Sequence, residues 1–303
     1  MKDYVLFTDA CCDMNQDILD RHDIHVIPME VILPDGSTFL HYPDFRNYAS
    51  KDFYQKVREG MKTKTAMISP AVFLKTFRPV LSAGIDVMYI SFSSGLSKTY
   101  DNACHAVKQL RKEFPARTII AVDSLCACGG EGVFALQAAV NKEKGMTIQE
   151  NETWLLAHRM NLSHYFTVGE LDTLKQGGRI APTVAFVSGT FDFKPVLVVD
   201  QEGRLRLLGS VRGRRESLQR LIDLTRETIV HPKEQILFIS ETDCYIEALQ
   251  LKEAVKEQIS CRDVIITQIG PVVGTHTGPE HMCLFSWGTG RYPDRFKARM
   301  EHR

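Results

Sequence analysis

The chain has 303 residues, enough for two domains that each bury a core of their own. Its hydrophobic fraction of 44% and charged fraction of 24% are ordinary for a soluble globular protein. Lys plus Arg equals Asp plus Glu at 37 each, so there is no global basic excess of the kind that neutralises a nucleic-acid backbone. The opening MKDYVLFTDACCD carries acids and only a short apolar stretch, which argues against a signal peptide. No run approaches the roughly 18 apolar residues that cross a bilayer. A cytoplasmic protein that meets any lipid from the aqueous side is therefore expected. Its eight cysteines include one adjacent pair (Cys11, Cys12) and one C-x-C (Cys126, Cys128), without paired C-x-x-C knuckles. Reduced thiols, not a zinc site, are the expectation.

In chain order, YVLFT (4–8) predicts a strand and DMNQDILDRHD (13–23) a helix opened by an Asx-type cap. IHVIPMEVIL (24–33) is a second extended run that ends at the Pro34-Asp35-Gly36 turn. Helical spacing returns over 44–62, and Ser69-Pro70 opens a further helix that stops at Gly84. A strand over 86–92, a helix after SSGLSK, a strand over 117–124 and a helix after LCACGGEG follow. This alternation predicts a mostly parallel, Rossmann-like sheet with helices on both faces. Ligands of such sheets sit beyond the carboxyl ends of the strands. Here those ends carry Thr8-Asp9, Ser93-Ser94 and Asp123-Ser124, all hydroxyls or acids.

The second half has a helix over 151–163, strand-like HYFTVGE, EQILFISET and RDVIITQIG, and a hairpin turning at Asp200–Gly203. Helical stretches at 213–229 and 245–259 separate some of these. The expectation is a second α/β domain with a mixed or antiparallel sheet, and a division into 1–150 and 151–303.

Four hydroxyls in Ser93-Ser94-Gly95-Leu96-Ser97-Lys98-Thr99 lie between a strand end and a helix start. They either cap the helix or, with its free N–H groups and dipole, bind an anion. Thr65 sits in a similar place but has no capping role. Asp123-Ser124 followed by Gly129-Gly130-Glu131-Gly132 lacks the register of a nucleotide loop. Arg179 follows two glycines, either in a surface turn or aimed inward. His276, in Gly274-Thr275-His276-Thr277-Gly278-Pro279, is either an exposed turn residue or a neutral donor to a carboxylate. Arg212, Arg214 and Arg215 form a basic run that is either a solvated face or a docking site for an acidic partner. No nucleophile with its base stands at a recognisable spacing, which counts mildly against a hydrolase.

Taken together, TDACCD, KTAMISP, SSGLSKTY, AVDSLCACGGEG, DTLKQGGRI, FKPVL, VRGRR and IGPVVGTHTGPE follow the order of segments in the bacterial DegV family. The sequence resembles that family nearly end to end, and DTLKQGGRI and GTHTGP are the most specific strings. Ala10, Ala66, Ile68, Lys98, Cys128 and Glu280 depart from its pattern. The resemblance implies a two-domain fold that holds one long-chain fatty acid, such as palmitate, stearate or oleate, between the domains, with no other cofactor. It also implies that the carrier presents the acid to a separate fatty acid kinase for phosphorylation. Carried over by position, Thr65, Ser93, Ser94 and Ser97 would bind the carboxylate, and His276 and Arg179 would complete that network. Arg212, Arg214 and Arg215 would be the kinase contact. Two readings compete: an acyl hydrolase using Ser94 or Cys128 with His276 as base, and a lipid-responsive regulatory protein acting through 212–215.

Overall fold

The computed structural model describes residues 4–180 and 192–291. They fall into two compact units: 4–49 with 62–159, and 50–61 with 160–180 and 192–291.

The first unit contains, in chain order, β1 (Tyr4–Asp9), α1 (Gln16–Arg21), β2 (Ile24–Ile27), β3 (Met29–Ile32) and β4 (Thr38–His41). After α2 (Ser50–Arg58), which packs in the second unit, come β5 (Lys64–Thr65), α3 (Pro70–Ser82), β6 (Asp86–Ser91) and α4 (Thr99–Glu113). The unit ends with β7 (Ile119–Asp123), α5 (Gly129–Glu143) and α6 (Ile148–His158). Its main sheet runs β2-β1-β6-β7, parallel throughout. Every residue of β6 is buried, as expected for a strand covered by helices on both faces. Phe73 and Phe77 of α3 pack on Tyr89 from one side, at ring distances of 5.0 and 6.2 Å.

The run 24–33 is not one strand. Pro28 has no N–H to donate, and the chain changes sheets there: Ile24–Ile27 pairs with β1, whereas Met29–Ile32 is the centre of an antiparallel sheet, β4-β3-β5. The helix expected over 44–62 is confined to α2, with turns before it. Residues 151–158, expected to open the second domain, belong to α6 and pack in the first unit. There buried Asn151 bonds Asn141, the carbonyl of Ala138 and the hydroxyl of Tyr4 at 2.8–3.0 Å.

The second unit holds β8 (Leu162–Thr167), α7 (Leu171–Gln176), β9 (Phe193–Val199), β10 (Leu205–Arg212) and α8 (Arg214–Thr228). It continues with β11 (Ile236–Glu241), α9 (Tyr245–Gln258), β12 (Asp263–Gln268), α10 (Pro271–Thr277) and β13 (Met282–Trp287). The sheet order is β10-β9-β8-β13-β11-β12, antiparallel except for the β11–β12 pair. Its core joins Tyr165, Val198, Leu237, Ile239 and Leu284 of the sheet to Leu221 and Leu224 of α8 and Leu251 and Val255 of α9. The expected hairpin is present, with Asp200 and Gly203 closing its turn. α2 is held by Tyr54, whose hydroxyl donates to the carbonyl of Ile269 at 2.7 Å, and by Arg58, paired with Asp243 and Glu280.

Among the described residues no helix is long and apolar enough to cross a membrane, and no group of His, Cys, Asp or Glu forms a candidate metal site.

Candidate functional site

In the first unit the polar residues gather at the carboxyl ends of β1, β6 and β7. After β6 the chain turns through 92–98 before α4. The amide of Ser93 donates to the carbonyl of Cys126, and its buried hydroxyl oxygen accepts from the amide of Gly95 at 3.1 Å. The amide of Ser94 donates to Asp123 Oδ1 at 3.1 Å, the same atom that accepts from Leu125. Ser97 Oγ accepts from the amide of Thr99 and bonds its hydroxyl at 3.0 Å. The loop is therefore built by its own serines and by Asp123. Ser97 holds the amide of the first residue of α4, whose N-cap is Lys98, and Ser94 does none of this. The Ser94 hydroxyl joins none of these bonds and is half-buried.

The opposite wall of the loop is unusual backbone. Leu125 and Cys128 have φ of +51° and +41°, a left-handed region that L residues with a Cβ rarely adopt. Ser124 pins this segment by donating to the carbonyl of Ser91 at 2.6 Å and accepting from the amide of Cys126. Cys128 is buried, directly before α5.

Thr65 lies on the short strand β5, paired with Val31. Ala66 continues that pairing with a bond to Glu30, and Ser69 caps α3 by accepting from the amide of Val72, as its Ser-Pro sequence predicts. Asn102 of α4 donates to the carbonyl of Ile68 at 2.9 Å, tying the segment after Thr65 to the helix that follows the serine loop. Lys98 is exposed and pairs with Asp101 at 3.1 Å.

In the second unit Arg179 and His276 come together. Arg179 follows α7 and donates to the carbonyl of Gly177 at 2.6 Å. His276 lies in the last turn of α10, so the expected turn histidine is helical. A Cβ added to Gly177 would stand 3.0 Å from His276 Nδ1. Burial, and then the nearby Arg179 guanidinium, hold the imidazole down to about pKa 4, so it is neutral at physiological pH. A neutral imidazole beside a guanidinium is a donor pair suited to an anion.

The basic run divides. Arg212 and Arg215 are exposed at the end of β10 and the start of α8. Arg214 instead turns inward, with Nε 2.8 Å from Glu247 and Nη2 3.8 Å from Cys244 Sγ.

Residues 4–287 match the model of a family described as uncharacterised protein, DegV family. The chain belongs to the DegV family. A DegV domain-containing protein of Clostridium perfringens is 34% identical over 293 residues, covering 97% of this chain and 100% of the relative. A DegV domain-containing protein of Streptococcus pyogenes is 30% identical, with 94% and 98% covered. Among solved structures, the fatty-acid-binding DegV family protein of Thermus thermophilus superposes with a TM-score of 0.84 at 27% identity, covering 95% of this chain and 100% of its own. A DegV lipid-binding protein of Thermotoga maritima gives 0.81 at 26% identity, covering 95% and 99%. The parallel first sheet and mixed second sheet are thus those of the two-domain DegV fold.

Sequence reasoning missed two residues that hold these segments in place, one in each unit. Tyr54 has no motif around it, yet its hydroxyl fixes the residues before α10. Glu131 sits inside Gly129-Gly130-Glu131-Gly132, where the glycines draw attention; the acid is fully buried under the end of β1.

Proposed function

We propose that this DegV chain is a carrier that binds one long-chain fatty acid, with the carboxylate held by hydroxyls and a histidine. Thr65, Ser93, Ser94 and Ser97 supply the hydroxyl donors, and His276 with Arg179 supplies the neutral imidazole and the cation. The observation that carries this reading is the end-to-end likeness to the Thermus thermophilus protein that binds fatty acids. The serine loop and the His276–Arg179 pair agree with it chemically.

The energetics are consistent. Burying a methylene contributes about 0.8 kcal/mol, so a sixteen-carbon tail supplies on the order of 10 kcal/mol before the costs of binding. A buried carboxylate costs several kcal/mol unless donors meet it, and these residues offset that cost. The carrier itself does no chemistry in this reading. It presents the carboxylate to a separate fatty acid kinase, with the exposed Arg212 and Arg215, beside the inward-turned Arg214, as the contact, and works in the cytoplasm.

Native mass spectrometry of the protein as purified, followed by lipid extraction, tests the proposal. A stoichiometric fatty acid adduct is the expected result and identifies the preferred chain. A protein that arrives empty and also takes up no added palmitate or oleate would overturn it, and acyl-ester turnover dependent on Ser94 or Cys128 would then replace it with a hydrolase.

A further inference from the structure

Beneath the serine loop lie two carboxyls that the ligand reading does not use. Asp9 and Glu131 are both fully buried. Glu131 Oε1 accepts from the hydroxyl of Thr8 at 2.6 Å and from the amide of Asp9 at 3.4 Å, which ties the end of β1 to the first turn of α5. Asp9 in turn accepts from the amide of Cys11 at 3.0 Å, the hydroxyl of Tyr89 at 2.7 Å and the amide of Phe92 at 3.2 Å. Phe92 is the residue directly before Ser93. A continuous set of bonds therefore runs from α5, through β1, to the loop that carries Ser93, Ser94 and Ser97.

We propose that Glu131 is a positioning residue for the head-group loop, bracing Asp9 so that Asp9 can fix the backbone at Phe92 and Ser93. The proposal rests on the fatty-acid reading above.

The brace works only with one proton in it. Two fully buried carboxyls in contact with the same segment cannot both ionise cheaply. Asp9 has three donors and is the better site for the charge. Glu131 has one hydroxyl and one distant amide, and its Oε2 has no hydrogen-bond partner. Burial, and then the charge of Asp9, push the Glu131 carboxyl well above its usual range. The groups facing it are Thr8 and Asp9 from β1, Cys11, Cys12 and Asp13 from the following turn, and Tyr89 from β6; every titratable one is an acid. Ionising Glu131 adds a second negative charge to this set, and the brace loosens as pH rises.

The test is the palmitate Kd of the intact protein from neutral pH to about pH 9.5 for the wild type, Glu131→Gln and Glu131→Ala. Wild-type affinity is expected to fall as pH rises. Glutamine keeps the oxygen that accepts from Thr8 and Asp9 and cannot ionise, so Glu131→Gln should bind with a flat profile. Glu131→Ala should bind about tenfold more weakly throughout. A glutamine variant with the wild-type alkaline loss, a flat wild-type profile, or a folded alanine variant with wild-type affinity would each overturn the proposal while leaving the carrier reading intact. Wild-type protein that takes up no palmitate would overturn both.

Discussion

The imidazole of His276 rests against the backbone of Gly177, and a methyl group added there would stand 3.0 Å from Nδ1. Gly177 itself has right-handed helical backbone, with φ of −68°, so alanine fits its conformation. Gly177→Ala therefore displaces His276 with little strain of its own. Fatty acid affinity should fall several-fold, while thermal stability stays close to wild type because alanine restricts the unfolded chain. Isothermal titration beside a melting curve checks both halves; unchanged affinity would mean that His276 does not touch the ligand.

Removing single head-group donors should weaken binding without unfolding the protein. Each hydrogen bond to a charged group is worth about 1.5–3 kcal/mol, so Thr65→Val and His276→Ala should each cost about tenfold or more in Kd. Ser94→Ala is the cleaner probe among the serines, because the Ser94 hydroxyl takes no part in building its loop. Fluorescent fatty acid displacement measures all three.

Acid should destabilise the protein in part through its buried histidines. Burial holds His41 and His276 down to about 4, against 6.5 for a free imidazole. Between about pH 6.5 and about pH 4 the unfolded chain binds protons at these sites that the native chain does not, so stability falls as pH drops through that window. His276→Asn lacks its share of this loss. Urea midpoints at neutral and acid pH should show the variant gaining on the wild type as pH falls; a constant difference would contradict the assignment.

Much of this architecture was legible because its signals are local. The regular strand–helix alternation announced a parallel sheet, and Ser69-Pro70 marked the start of α3 residue by residue. What stayed hidden depends on distant partners. Nothing beside Pro28 says that the chain changes sheets there. α10 carries two valines, two threonines and a glycine, poor helix formers, and its place depends on Tyr54 far back in the chain. The arginines of 212–215 look alike in sequence, and only packing separates Arg214 from its exposed neighbours.

That separation gives a further prediction. Arg212→Glu and Arg215→Glu should leave fatty acid binding and melting temperature unchanged and reduce acyl-phosphate formation when a fatty acid kinase is supplied, more at low salt than at high. Arg214→Ala removes the partner of Glu247 and leaves the charge of that partly exposed acid uncompensated. A stability loss of about 1 kcal/mol, discounted for solvent screening, is expected, visible as a lowered urea midpoint. Full kinase coupling in the double glutamate variant would remove the basic patch from the contact.

The placement of α2 has a consequence for how the chain is made. Residues 50–61 leave the ribosome early, between two stretches of the first unit, yet the carbonyl that Tyr54 bonds belongs to Ile269, 215 residues later. The second unit therefore cannot close until nearly the whole polypeptide has been synthesised, and its contacts of longest sequence separation are the slow kind to form. A fragment starting at residue 160 would lack both Tyr54 and Arg58, and with them the bonds that join α2 to the rest of its unit.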